Sequence, residues 1–166
     1  MRIALTRTSL ALLTMGALIV MSVSASAGDI TSSFADGVLT VNGTASADSI
    51  DVDCFGGIKV NGADPDTGAL ACNALVNLKV SGDAGNDTVT IFLDDVGSPS
   101  LTSVVIRGGD GADSLTGGKF GDVLKGGAGK DTLMGDDGDD SLNGGSGIDS
   151  CNGGPGVDTK KNCEKT

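Results

Sequence analysis

The sequence predicts an all-β fold in which one short unit is stacked many times. A nine-residue pattern repeats six times without a break between residues 108 and 161. Large side chains are scarce, since the chain has four Phe and no Trp, Tyr or His. No segment of adequate length places apolar residues at helical spacing. A strict short period indicates a repeat architecture, because each unit then contacts its neighbours in the same way.

Residues 1–27 are predicted to be a secretory signal peptide and form no part of the fold. Two arginines precede an apolar run that ends near Val23, and Ala-Ser-Ala follows at residues 25–27. The apolar run is short for a membrane span, and no second one follows it. We therefore expect a secreted, extracellular chain that begins at Gly28 and does not insert into a membrane.

The rest of the chain is strongly acidic. Beyond residue 27 it has 9 basic and 22 acidic residues, a formal charge of −13. Nucleic acid and anionic membranes are therefore poor partners. Only Glu164 is a glutamate, and the other 21 acidic residues are aspartates. The short side chain of aspartate suits tight turns and direct contact with a cation.

Residues 28–107 predict a β-strand region without a regular repeat. Five apolar or alternating runs, separated by turns with Gly or Asn, have the pattern of strands. They are residues 38–41, 49–52, 75–80, 88–93 and 103–106, and residues 61–73 are predicted to be an exposed loop. Two degenerate copies of the nine-residue unit place Asp48 and Asp87 at the sixth position. We therefore expect this region to add longer rungs, 26 to 39 residues apart, to the same stack.

Residues 108–161 consist of the regular units. They read GGDGADSLT, GGKFGDVLK, GGAGKDTLM, GDDGDDSLN, GGSGIDSCN and GGPGVDTKK, with an aspartate always at the sixth position. The glycines allow a tight turn that directs carbonyl groups inward. The last three residues are expected to form a short strand whose middle side chain points inward, because strand side chains alternate. Two units then complete one coil.

A coil of 18 residues places every second unit on the same side, about 4.8 Å above the last. This stacking predicts two inner columns, Leu115–Leu133–Cys151 and Leu124–Leu142–Lys160. Aspartates of stacked turns would then face one another and repel. A hard divalent cation would relieve the repulsion. Calcium accepts six to eight carboxylate and carbonyl oxygens in flexible geometry, whereas magnesium requires a stricter octahedron.

The units follow the pattern GGxGxDxUx, and residues 108–161 resemble the RTX (repeats-in-toxin) family of calcium-binding repeats. The resemblance implies a right-handed parallel β-roll, a β-solenoid stacked here on the short irregular β region, with Ca2+ held between the turns of successive coils. Residues 162–166 would be a C-terminal tail. Phe120 and Asp136 replace glycines of the pattern, and Lys160 replaces the last apolar residue and would end the stack.

The resemblance also implies a set of ligands. The side-chain ligands would be Asp113, Asp122, Asp131, Asp140, Asp149 and Asp158, with weaker metal sites at Asp87 and Asp48. Carbonyl ligands would come from Gly108, Gly109, Gly111, Gly117, Gly126, Gly127, Gly129, Gly135, Gly144, Gly145 and Gly153.

The four cysteines are expected to form disulfides, because the chain is predicted to be exported. Three pairings are possible. The pairing of Cys54 with Cys72 and of Cys151 with Cys163 is favoured, because each bridge closes a short local segment.

The predicted function is that of a secreted calcium-binding protein whose folding depends on calcium, with an extracellular structural or adhesive role. Its cell-surface partner is unknown. No catalytic residue is predicted, since the chain has no histidine for a triad or a zinc site. The alternative is a secreted hydrolase or its accessory module, because repeats of this family often accompany such domains.

Overall fold

The computed structural model describes residues 30–54, 57–61, 71–93 and 101–164. The predicted signal peptide and most of the predicted loop at 61–73 lie outside these ranges. Within them the chain forms β-strands and one three-residue 3-10 turn, so the predicted all-β class is confirmed. The strands are β1 Thr31–Ala35, β2 Val38–Asn42, β3 Ser49–Asp53, β4 Lys59–Val60, β5 Asn77–Ala84, β6 Thr88–Phe92, β7 Ser103–Asp110, β8 Ser114–Gly118, β9 Asp122–Gly129, β10 Thr132–Asp136, β11 Ser141–Gly147, β12 Ser150–Asn152 and β13 Thr159–Lys161.

The strands form two sheets that run through both halves of the chain. The first sheet has the order β1-β2-β5-β7-β9-β11-β13, and the second has the order β12-β10-β8-β6-β3-β4. From β5 onward, successive strands alternate between the sheets, and each of β5 to β11 pairs in parallel with the strand after next. None of the described residues forms a helix long and apolar enough to cross a membrane.

The sheets are mixed, and both antiparallel pairs lie in the region that was predicted to be irregular, before the regular repeats. The pairs β1–β2 and β3–β4 are antiparallel. The first is a hairpin whose two turn residues, Asp36 and Gly37, have φ of 50° and 77°. Positive φ at both residues matches the twist of an antiparallel hairpin, and a two-residue connection cannot join parallel strands.

The register between strands confirms both predicted inner columns. Leu115 pairs with Leu133, which pairs with Cys151, and Leu124 pairs with Leu142, which pairs with Lys160. The four leucines are buried, Cys151 is half-buried and Lys160 is exposed. The apolar columns therefore end within the last coil, where the predicted stack was expected to stop.

Earlier coils are longer but remain in register with the repeats. Ile50 pairs with Val89, 39 residues away, and Val89 pairs with Leu115, 26 residues away. Both spacings agree with those predicted for the degenerate units. Because buried Ile, Val and Leu side chains align across all of these pairs, one apolar core continues from the irregular region into the repeats.

Strands β7, β9 and β11 of the first sheet have eight, eight and seven residues and are longer than the three residues predicted. Strand β9 has eight residues, because the backbone of the glycine turn also pairs with the next coil, as Gly109 does with Gly127. Strands β8 and β10 of the second sheet have only five. The turns at the two edges of the stack are therefore different structures, a distinction that the common nine-residue pattern does not show.

Both disulfides have the predicted pairing. Cys54 bonds to Cys72 with a Cα–Cα distance of 5.9 Å, and Cys151 bonds to Cys163 with a Cα–Cα distance of 5.8 Å. The first closes the connection between β3 and β5, and the second joins β12 to the residues that follow β13.

Candidate metal centre

The predicted ligands lie in two rows of turns, one along each edge of the stack. Turns of the first edge lead from the first sheet to the second, and turns of the second edge lead back. Each turn ends at its sixth-position aspartate, which begins or immediately precedes a strand. The first edge contains Asp48, Asp87, Asp113, Asp131 and Asp149, and the second contains Asp122, Asp140 and Asp158.

Within each column the aspartates are joined by hydrogen bonds. The backbone N–H of one aspartate donates to Oδ1 of the aspartate one coil further on, which holds each carboxylate in a fixed orientation. Along the first edge the donor–acceptor distances are 2.9 Å for Asp48 to Asp87, 2.8 Å for Asp87 to Asp113, 2.9 Å for Asp113 to Asp131 and 2.9 Å for Asp131 to Asp149. Along the second edge they are 2.8 Å for Asp122 to Asp140 and 3.1 Å for Asp140 to Asp158.

This arrangement changes one detail of the prediction. The carboxylates were expected to face one another across a gap. Instead, in every aspartate except the first of each column, Oδ1 accepts a hydrogen bond from the preceding coil, while Oδ2 is directed elsewhere. The Oδ2 atoms of Asp87, Asp113, Asp122, Asp131 and Asp140 are buried without a hydrogen-bond partner.

Asp122 differs from the others because it begins its column. Its Oδ1 is also buried without a partner. The residue one coil earlier is Val104, which pairs with Asp122 in the sheet, so no aspartate N–H is in place to donate. A buried carboxylate without partners is strongly unfavourable in its charged form.

The pKa values of these aspartates also reflect the burial of carboxylates that lack hydrogen-bond partners. Burial raises the pKa of Asp122 to about 8, with smaller contributions from the charges of Asp140 and Asp136. Burial also raises the pKa values of Asp87, Asp113, Asp131 and Asp140, and the backbone hydrogen bond to each opposes that shift. The hydrogen bonds of the protein therefore compensate the charge of these four carboxylates only in part.

A carbonyl oxygen accompanies the free carboxylate oxygen at the first glycine of four of the six repeat turns. At Gly108, a Cβ atom would clash with Oδ2 of Asp113 and would lie 2.8 Å from the carbonyl oxygen of Gly126 in the next coil. The same two kinds of oxygen surround three further glycines, with carbonyl distances of 2.9 Å at Gly117, 2.5 Å at Gly126 and 2.6 Å at Gly135. The regular repeats thus contain four places where a carboxylate oxygen without a hydrogen-bond partner and a carbonyl oxygen of the next coil converge.

Other carbonyl groups point across the gaps between coils. The carbonyl oxygen of Gly109 lies against Gly127, and that of Gly111 lies against Gly129. These four glycines have φ between 124° and 140°, a region that other residues rarely adopt. The eleven glycines predicted as carbonyl ligands all belong to these turns, at the first, second or fourth position.

These oxygens form a donor set suited to a hard divalent cation. Among the described residues, no three Asp, Glu, Cys or His side chains converge on one point. A metal bound at these turns would therefore take its further ligands from backbone carbonyls. A mixture of carboxylate and carbonyl oxygens in glycine-rich turns is the chemistry that calcium prefers.

The two departures at glycine positions of the pattern have distinct structural outcomes. Phe120 packs partly buried against the apolar core, and its backbone φ is not positive. Asp136 keeps the positive φ of a second-position glycine, at 69°. Aspartate tolerates this region better than most residues, so the turn at Asp136 keeps its conformation.

Sequence reasoning missed the role of Asn162. Its carbonyl oxygen lies over Gly144, where the first carbonyl of a further coil would lie, and the N–H of Glu164 donates to the carbonyl of Asp149 at 2.8 Å. The tail therefore covers the last turn of the first edge. The disulfide at Cys163, next to Asn162, was the available signal.

Comparison with known families identifies the repeats. Residues 104–124, 116–151 and 125–159 match the RTX calcium-binding nonapeptide repeat (4 copies). The predicted family resemblance of this segment is confirmed. RTX nonapeptide repeats bind Ca2+, so the predicted cofactor is confirmed as well. No curated protein and no solved structure matches the chain.

Proposed function

We propose that this chain is a secreted, non-enzymatic calcium-binding protein whose repeats fold as a right-handed parallel β-roll when calcium binds, and that it has an extracellular structural or adhesive role. One observation carries the proposal. Buried carboxylate oxygens without hydrogen-bond partners recur along both edges, and at each repeat site a backbone carbonyl lies beside one of them.

Charge and packing support a requirement for calcium. Residues 108–158 contain ten aspartates and three lysines. Their glycine-rich backbone loses much conformational entropy on folding, and the apolar columns inside the repeats are narrow. Calcium would be held by the aspartates of stacked turns and by carbonyls of the same turns. Metal binding then contributes directly to the free energy of folding.

The topology supports the roll. Parallel strands of one sheet are joined through a strand of the other sheet from β5 onward. Crossover connections between parallel strands are right-handed in about 98% of cases, which favours a right-handed winding. The antiparallel strands β1 and β4 lie at the irregular end of the stack.

The secreted and non-enzymatic parts of the proposal are supported by the amino-acid sequence and by the disulfides. The apolar segment in residues 1–27 has the pattern of a secretory signal peptide, and two disulfides fit an oxidising compartment. The chain has no histidine, the commonest general base. Recovery of the processed chain outside the cell would test export, and activity in a screen of hydrolase substrates with calcium present would overturn the non-enzymatic role.

The central test is a calcium titration of the purified, oxidised protein followed by far-UV circular dichroism. We expect β-structure to form cooperatively as calcium rises, with an affinity near the ~10⁻⁴ to 10⁻³ M of extracellular calcium modules. Magnesium at the same concentration is the matched control and is expected to act weakly. Identical spectra in calcium and in chelator would overturn the proposed calcium-dependent folding.

A further inference from the structure

We propose that the calcium column of the first edge extends one coil beyond the matched repeats, to a site between turns 82–87 and 108–113, and ends there because Asp48 is satisfied without metal. The inference rests on the proposed calcium binding by the repeats. Turn 82–87 lies outside residues 104–159, which the family match covers.

Asp87 has the properties of a repeat aspartate. It is 1% exposed, and its Oδ1 accepts the N–H of Asp48 at 2.9 Å. Its Oδ2 is buried without a hydrogen-bond partner. An unpartnered carboxylate oxygen inside the stack requires compensation by a positive charge or a proton.

The oxygens around Gly82 reproduce those of the regular repeats. A Cβ atom on Gly82 would clash with Oδ2 of Asp87 and would lie 2.7 Å from the carbonyl oxygen of Gly108. The corresponding carbonyl distances in the four repeat sites are 2.5 to 2.9 Å. The geometry is therefore retained although the coil has 26 residues instead of 18.

The second and fourth positions of turn 82–87 also match those of the regular repeats. Asp83 and Gly85 have φ of 84° and 118°, and their carbonyl oxygens lie against Gly109 and Gly111 of the next coil. These are the second- and fourth-position contacts seen between repeats. The additional residues of the longer coil fall outside the turn, so the nine-residue period is lost while the oxygens keep their places.

Asp48 differs from Asp87 because hydrogen-bond donors of its own turn reach both of its carboxylate oxygens. The backbone N–H of Thr44 donates to Oδ2 of Asp48 at 2.6 Å, and the Thr44 hydroxyl donates to Oδ1 at 3.3 Å. Thr44 occupies the second position, where a repeat has glycine. Although the carbonyl of Gly82 lies over Gly43 as in the other turns, no carboxylate oxygen of Asp48 is left without a donor. The Asp48 turn therefore acts as a metal-free cap.

The test compares the number of calcium ions bound by the full oxidised protein and by three variants, counted by native mass spectrometry in excess calcium. Asp87→Asn should bind one ion fewer than the wild type, and Asp48→Asn should bind the same number. Asp131→Asn is the positive control inside the repeats and should bind fewer ions. Circular dichroism in calcium checks that each variant is folded.

Each outcome decides one point. Loss in Asp131→Asn with wild-type stoichiometry in Asp87→Asn would overturn the additional site and leave calcium binding by the repeats intact. No loss in any variant would overturn the proposed function itself, and a lost ion in Asp48→Asn would overturn the metal-free cap. If Asp87→Asn does not fold, anomalous scattering from wild-type crystals grown with terbium replaces it. A peak at Asp87 and none at Asp48 is expected, and the absence of a peak at Asp87 overturns the site.

Discussion

Replacing Asp131 with asparagine should change stability in opposite directions with and without calcium. The substitution removes the charge but keeps an oxygen that can accept the N–H of Asp113, now at 2.9 Å. Asp131 borders two gaps of the first edge, one toward Asp113 and one toward Asp149. In saturating calcium we therefore expect two of the repeat sites to weaken together.

The expected loss follows from linkage. A site at a ligand concentration of 100 times its Kd stabilises the folded state by about 2.7 kcal/mol. Loss of two such sites lowers the free energy of unfolding by about 5 kcal/mol in Asp131→Asn. Asp158 ends its column and borders one gap only, toward Asp140. Asp158→Asn should therefore lose about half as much.

In chelator the sign should reverse. Asp131 is 0% exposed, and its Oδ2 has no hydrogen-bond partner. Without metal its charge opposes folding, so the neutral variant should be more folded than the wild type. The measurement is denaturation followed by circular dichroism, in about 10 mM calcium and in chelator with sucrose, which strengthens burial. Exposed Asp110 supplies the control, and Asp110→Asn should change stability by no more than about 0.5 kcal/mol.

Two results would refute this reasoning. A loss of stability in both conditions would mean that the Asp131 charge is compensated by the protein and not by calcium. Equal losses in Asp131→Asn and Asp158→Asn would mean that calcium is bound within single turns, so that an aspartate in the middle of a column serves no more sites than one at its end.

Three further predictions concern pH, a disulfide and a glycine. In chelator, burial raises the pKa of Asp122 to about 8, so protonation of this carboxyl favours the folded state at low pH and the contribution is lost as pH rises through about 8. Acid should therefore increase the folded fraction measured by circular dichroism, and a decrease would contradict this. Replacing Cys151 and Cys163 with serine should cost roughly 3 kcal/mol in denaturation experiments, and an unchanged midpoint would show that the tail needs no tether. Gly109→Ala, at φ 124°, should lower the thermal midpoint more than Gly121→Ala, which needs no positive φ; equal shifts would show that backbone conformation is not limiting.

Periodicity made much of the fold predictable. A fixed spacing of 18 residues determines which side chains stack, so the columns through Leu115 and Leu124 followed directly from the repeat. The degenerate units at Asp48 and Asp87 were also recognisable, because the aspartate keeps its distance from the first glycine. What remained hidden was the chemistry of those two turns, since Thr44 and its hydrogen bonds decide which carboxylate stays free.

Other features depend on context that a repeat does not encode. The hairpin formed by β1 and β2 was missed, although Asp36-Gly37 between two alternating runs is a strong hairpin signal. The unequal strand lengths arise because backbone pairing extends further into the glycine turns of the first edge, through Gly147 with Gly129, than into those of the second, where it stops at Asp136 with Gly118. The role of Asn162 depends on a chain end held by a disulfide, which no periodic pattern can predict.

The glycines explain why calcium, rather than side chains, would fill the space inside the turns at the edges of the stack. At Gly108 and Gly126 the space for a Cβ is already filled by carboxylate and carbonyl oxygens, so no apolar side chain can cover the turn from within. The oxygens themselves repel one another and are buried. Only a cation, or protons on the aspartates, can fill the interior of such an edge favourably. The Asp48 turn has a different solution, because Thr44 replaces the second glycine and its donors take the place of the cation.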